Sequence, residues 1–330
     1  MTDRNHWQVI RAEDFHCPLP PTVTRFQHAW RRVLRILRLR DQETAEQDAD
    51  TELPDYQAFE RQPAVSALNE HFSGWIEGAE PGVCFLLDPP FSGSAAIARD
   101  WCWQQGRAML TPPDTAQVLA VAVEEWWQQQ QPRGVPWLID DLARYLLRSA
   151  DGLRFIRALL PRLLHGDFGQ GLVVCDSWTF AFLGRAWPLG LPRVYCFAPA
   201  GPALLRQVGI TGSDRQLGQL AGQARGNVGL ALALWACRVN EDKPLPELPL
   251  EADDGTAFIL YSLLLHRGLS GAAMQRVLPV MAPDQLNVQL LRLEQFCIVE
   301  RDQELWRLSV YGYPAVRDFL GGRDYLLDDF

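Results

Sequence analysis

"FLLDPPFSGSAAIARDW", residues 85–101, joins an apolar run to a Pro-rich turn, a Gly and the start of a helix. Val83, Cys84, Phe85, Leu86 and Leu87 read as a buried strand, and the residues after Gly93 read as helical. Strand, loop and helix in that order are the setting required by a phosphate-cradling loop of the pattern G-x-x-x-x-G-K-[ST]. Aligned on Gly93, the first Gly becomes Asp88, the Lys becomes Ser94 and the hydroxyl residue becomes Ala95. The frame of the motif is present, and the groups that do its chemistry are not.

The alternation continues on both sides of the loop. "AVSALNEHFSGWI" (64–76) has helical spacing and "GVCFLLD" (82–88) is the strand that feeds the loop. A short strand in "RAMLTPP" (107–113), a helix over "TAQVLAVAVEEWWQQQ" (115–130) and a strand in "VPWLIDDL" (135–142) follow. A helix over 151–166, a strand in "GLVVCDSW" (171–178), a short helix and a last strand in "RVYCFAPAG" (193–201) complete the series. Such alternation predicts an α/β domain with a parallel sheet covered by helices on both faces. Beyond Gly201 the pattern is helical, then Pro-rich over 242–250. Residues 256–309 read as a helix, a turn capped at Ser270, a short helix, a longer helix begun by "PDQ", and a hairpin in "CIVERDQELWRLS". Helix–turn–helix followed by a hairpin predicts a winged helix.

This order of elements resembles the AAA+ family of P-loop ATPases, in particular the replication-initiator and STAND-like branch with a helical lid and a terminal winged helix. The resemblance spans about residues 61 to 318. "FLLDPPFSGSA" stands where that family has "GPPGSGKS", and "PWLIDDL" is similar to a Walker B strand. The resemblance implies a Mg²⁺-holding role for Asp140 and a catalytic-acid position for Asp141. It places Asp176 or Ser177 at the polar tip of the sensor-one strand. "ARGNVGLALALW" is similar to the Gly-Asn lid helix, which makes Arg225 a sensor candidate. The implied organisation is an N-terminal segment (1–60), an AAA+-like core (61–201), a helical lid with Pro-rich linker (202–250), and a winged-helix domain with an acidic tail (251–330).

Phosphoryl transfer depends on a cradle of backbone N–H groups, a Lys on the β/γ oxygens and a hydroxyl on Mg²⁺. Asp88 instead sets a negative charge where a triphosphate approaches. The chain's one Lys, Lys243, lies in the distant Pro-rich linker. A vestigial nucleotide site at Asp88, Gly93, Ser94, Asp140 and Asp141 is therefore expected, with neither hydrolysis nor an ATP or Mg²⁺ requirement. Asp140 and Asp141 have a second reading, as caps of the helix beginning near Leu142. The D-F-G in "HGDFGQG" (165–171) has no H-R-D partner, no G-x-S-x-G is present, and no His pair has zinc-enzyme spacing. The seven Cys are scattered without a C-x-x-C, as expected of buried free thiols in a reducing cytoplasm.

Partner surfaces complete the reading. Residues 22–40 form a predicted helix with Phe26, Trp30, Val33 and Leu37 on one stripe and six Arg, including Arg31, Arg35 and Arg38, largely opposite. Eight acids and no Lys or Arg follow between 41 and 60. A basic amphipathic helix can pack on its own domain, dock a protein or lie on an anionic membrane surface. The net charge of −9 disfavours nucleic acid. So does the helix "DQLNVQLLRLEQF" (284–296), whose Leu286, Leu290 and Leu293, with Leu291 or Phe296, are expected inside and which offers a single Arg, Arg292. The expectation is an inactive AAA+-like scaffold that acts through another protein, in the cytoplasm or at the inner face of the membrane. The alternatives are an ATP-dependent regulator with an atypical loop and a DNA-associated winged-helix factor. The segment "GGRDYLLDDF" (321–330) either folds back or serves as a linear motif.

Overall fold

The computed structural model describes residues 6–18, 59–78, 82–130, 134–187, 190, 193–239 and 244–330. The helix expected over 22–40, with Arg31, Arg35 and Arg38, lies outside them. Two compact units are present, one formed by Trp7–Phe15, Glu60–Ala198 and Pro246–Phe330, the other including Pro199–Leu245.

The first unit is built on a six-stranded sheet of order β1-β6-β2-β5-β4-β3. Its strands are β1 (Val9–Arg11), β2 (Gly82–Asp88), β3 (Ala108–Met109), β4 (Trp137–Ile139), β5 (Gln170–Asp176) and β6 (Val194–Phe197). From β6 to β3 all pairings are parallel, and β1 joins β6 antiparallel at the edge. Residues 9–11 are too few to hold a strand alone, and pairing with β6 is what extends them. β2 is buried along its whole length, as a strand covered on both faces must be.

The covering helices are α1 (Gln62–Glu77), α2 (Ser94–Gln104), α3 (Thr115–Ala120), α4 (Val123–Gln130), α5 (Gly152–His165) and α6 (Ser177–Ala186). The single helix expected over 115–130 is two, broken at Val121, whose φ is 58°. In one continuous helix Val123 would point about 140° away from Val118 at 100° per residue. The break lets Val118, Val123 and Trp126 all face the core.

The chain re-enters this unit as α10 (Asp254–His266), β7 (Leu269–Ser270), α11 (Gly271–Val277), α12 (Pro283–Gln295), β8 (Val299–Asp302), β9 (Leu305–Leu308) and α13 (Tyr313–Gly321). The strands form a small antiparallel sheet, β7-β9-β8. α10 is buried from Thr256 to His266 except at Phe258, which makes it the central helix of this part and not a surface one. It also meets the large sheet's own layer, because Thr179 Oγ1 on α6 donates to the Leu265 carbonyl at 2.7 Å. On α12 Leu286, Leu290 and Leu293 are buried as expected, whereas Leu291 is exposed. The other unit holds α7 (Pro202–Gln207), α8 (Asp214–Gln223) and α9 (Val228–Val239).

The tightest point of the sheet is Gly171, which pairs with both Val83 and Trp137. A Cβ there would stand 2.4 Å from the Trp137 ring, which is anchored by its Nε1 donating to the Phe168 carbonyl at 2.7 Å. Gly171→Ala is therefore expected to destabilise the fold by about 1–3 kcal/mol, read as a lower denaturation midpoint in urea.

Candidate functional site

The site forms where the parallel strands end. β2 and β5 run in register so that Asp88 and Asp176 are partners at their last residues. Asp140 and Asp141 follow directly on β4. Four acids thus collect at one edge of the sheet.

The loop after β2 turns back on itself with Ser92 N–H donating to the Pro89 carbonyl at 3.0 Å. Phe91 takes a left-handed φ of 65° and Gly93 one of 82°. An aromatic residue in that region is strained. Phe91 is held by its ring, 5.6 Å from that of Tyr313 on α13. Asp88 is fully buried. Its Oδ1 accepts the Ser92 hydroxyl at 2.6 Å and the Ser94 N–H at 3.1 Å. The Ser92 and Ser94 hydroxyls are bonded to each other at 2.8 Å. A carboxylate of the chain thus lies at the start of α2, where backbone N–H groups and the helix dipole favour an anion. Ser94 and Ala95 are both buried.

The missing cation comes from far along the sequence. Arg267 follows α10 at a left-handed φ of 54°, and its Nη1 donates to Asp88 Oδ2. Its Nε stands 3.9 Å from Asp141 Oδ2. Burial works against the guanidinium's charge, but Asp88, Asp141 and Asp176 outweigh burial and hold it above its ordinary pKa. The remaining acids are also engaged. Asp140 Oδ2 accepts Arg99 Nη1 at 3.1 Å, and Asp141 Oδ1 accepts the Ala143 N–H at 3.0 Å. Asp176 Oδ1 caps α6 through Trp178 and Thr179, while its Oδ2 is buried with no hydrogen-bond partner. Burial pushes Asp176 well above the usual carboxylate range, Arg267 opposes, and Asp88 and Asp141 add to the rise.

Among the predicted residues, Asp88, Gly93, Ser94, Asp140, Asp141, Asp176 and Ser177 come together here. Ser177 Oγ donates to Asp328 Oδ2. Arg225 belongs to the other unit, with a φ of 55° in the turn between α8 and α9. Arg267 was not legible in the sequence. "LHRGLS" (265–270) reads as an ordinary helix end, and the signal was the unmet need of Asp88 for a cation.

The decisive feature of the architecture is the position of the loop strand. β2 lies centrally between β6 and β5, and β4 with its two acids lies on the far side of β5, all parallel. The fold is α/β, with a mostly parallel central sheet covered by helices. No protein-family profile and no curated protein sequence matches the chain. Similar solved structures include the ORC2 protein of Aeropyrum pernix in its ADPNP–ADP complexes, 12% identical, covering 83% of this chain and 97% of that one, with a TM-score of 0.35. The Walker-type ATPase PABY2304 of Pyrococcus abyssi is 10% identical over 81% of this chain and 99% of that one, at 0.29. Drosophila ORC bound to DNA is 12% identical over 87% and 99%, at 0.30. At these identities no residue role transfers.

The resemblance to AAA+ ATPases implies a triphosphate and Mg²⁺ at this place, and the residues present do not fit them. Asp88 already accepts the Ser94 N–H, Ala95 offers no oxygen, and Arg99 occupies Asp140. Among the described residues no group of His, Cys, Asp or Glu is arranged to hold a metal ion.

Two consequences can be measured. Burial raises Asp141 from 3.8 to about 6, against the pull of Arg267. Between those values the folded chain keeps a proton that the unfolded chain has lost. Ionised Asp141 thus weakens the fold above pH 6 by ~3 kcal/mol, at 1.36 kcal/mol per pKa unit, and the cost fades as the pH falls through 6 toward 3.8. Asp141→Asn keeps an oxygen for Ala143 and is expected to raise the urea midpoint at pH 7.5, with the gain shrinking toward pH 4. Arg267→Met leaves the Asp88 carboxylate buried without its cation. It is expected to cost about 3–5 kcal/mol, measured in the same titration.

Proposed function

We propose that the chain is an AAA+-like pseudo-ATPase, a scaffold whose nucleotide position is filled from within and which acts by holding another protein. The observation that carries this is the pairing of Asp88 with the start of α2 on one side and with Arg267 on the other. Asp88 takes the role of the bound anion, and Arg267 that of the absent loop Lys. A triphosphate would meet the carboxylate at contact distance in a low-dielectric site, where like charges repel strongly. It would also have to expel an arginine that closes the loop.

The surface of α12 speaks against the DNA reading. Its one arginine, Arg292, is paired with Glu251, and the exposed positions nearby include Val288 and Leu291. A helix that reads DNA presents several free cations to phosphates. No described helix is long and apolar enough to cross a membrane, and contact with a membrane surface would rest on residues 22–40.

Calorimetric titration of ATP–Mg²⁺ tests the proposal. The natural chain is expected to give no binding heat. Ser94→Lys with Ala95→Thr alone is expected to give none either, because Asp88 and Arg267 still fill the place. Adding Asp88→Gly and Arg267→Ala removes both charges together and is expected to restore binding. Micromolar binding by the natural chain would overturn the reading and make the loop a nucleotide sensor.

A further inference from the structure

Residues 325–330 have no regular secondary structure, yet they are anchored as a bound peptide is. The side chains alternate, with Leu326 and Asp329 exposed and Asp328 and Phe330 buried. Asp328 enters a site made by two other elements, the start of α6 and the middle of α13. Its two carboxylate oxygens accept from Arg317 Nη1 and from Ser177 Oγ. Arg317 Nη2 also donates to the Asp328 main-chain carbonyl at 2.9 Å, so the guanidinium reads side chain and backbone together. Arg317 is itself buried and set in place by neighbours that would remain without the segment. Its Nη1 donates to Tyr313 Oη at 3.2 Å, Trp178 Nε1 donates to the same oxygen at 3.2 Å, and the guanidinium lies 5.5 Å from the Trp178 ring. Two aromatic anchors flank the acid. The Phe330 ring is 4.4 Å from that of Phe15, and the Tyr325 ring is 5.0 Å from that of Tyr261.

A buried ion pair is a poor source of stability, because desolvation offsets much of the attraction, but it is selective about its partner. An extended segment with alternating anchors, one of them charged, is a recurring mode of peptide recognition. We infer that the cleft of Ser177, Trp178, Tyr313 and Arg317 is a peptide-binding site occupied here in cis. Its ligand in trans is an acidic segment of a partner protein with an aromatic–x–x–Asp–x–aromatic pattern. Residues 325–330 then act as the built-in competitor. A short tether gives such a competitor an effective concentration on the order of mM, so a partner must bind tightly or arrive in several copies. The inference depends on the scaffold reading only for the existence of a protein partner. Nucleotide plays no part in its test, so the two can fail separately.

The probe is a fluorescein-labelled peptide of residues 323–330, RDYLLDDF, followed by anisotropy with full-length chains. Asp328→Ala/Phe330→Ala empties the cleft and is expected to bind the peptide at least ten-fold more tightly than the natural chain. Adding Arg317→Gln is expected to abolish the gain. Equal binding by the natural and emptied chains, or binding that survives Arg317→Gln, would overturn the assignment. So would a dimer of the natural chain that disappears in the emptied variant, because the occupant would then be a second copy. If the emptied variant does not fold, the natural chain decides the matter. Unlabelled peptide in excess is expected to displace residues 325–330 and speed tryptic cleavage after Arg323 several-fold, and an unchanged rate would overturn the proposal.

Discussion

Two of the acids at the strand ends, Asp88 and Asp141, share one guanidinium, that of Arg267. The parallel register sets Asp88 beside Asp176, and the next strand delivers Asp140 and Asp141 to the same edge. Burial works against the charged forms of Asp141 and Asp176, and Arg267 opposes it at both. Arg99, an exposed residue of α2, serves Asp140. Asp88 and Asp141 draw on Arg267, which only the docked C-terminal part can supply. The charge requirement of a loop near residue 90 is therefore met by the part of the same unit that follows residue 250. In that part Tyr313 lies against Phe91, and its hydroxyl accepts from Trp178 on α6.

In open α/β sheets the crevice outside the carboxyl ends of the strands is the usual place for ligands. Here the chain lines that crevice with its own side chains, an anion from β2 and a cation from the turn after α10. The loop turns tightly onto the start of α2 because it has a buried carboxyl group to hold. Burying Asp88 requires N–H donors, and the start of α2 supplies them.

Much of this architecture was legible from pattern alone. The run from Gly82 to Asp88 was read as a strand with the observed limits, and the helix, turn and hairpin after residue 254 follow their apolar spacing and the caps at Asp253 and Ser270. Local signals end where partners from elsewhere decide the conformation. β1 has three residues and exists because β6 offers it an edge. The break at Val121 serves the burial of Trp126, which no periodicity count includes. Helix α13 was not anticipated, since "YPAVRDFLG" has the Pro of a helix start but too few turns to show a stripe. Arg267 was hidden for the same reason as β1. Its role is defined by a residue 179 positions away, and a sequence read locally shows only an arginine before a glycine.

That separation also orders events during synthesis. Asp88 emerges from the ribosome long before Arg267, by roughly 10–40 s at about 5–20 residues per second. Over that interval the strands around Asp88 can be complete in composition but not in charge. The nascent sheet must keep its loop hydrated or unfinished until the turn after α10 arrives. A sheet whose loop is neutralised from 179 residues downstream has little to gain from folding before that residue is made.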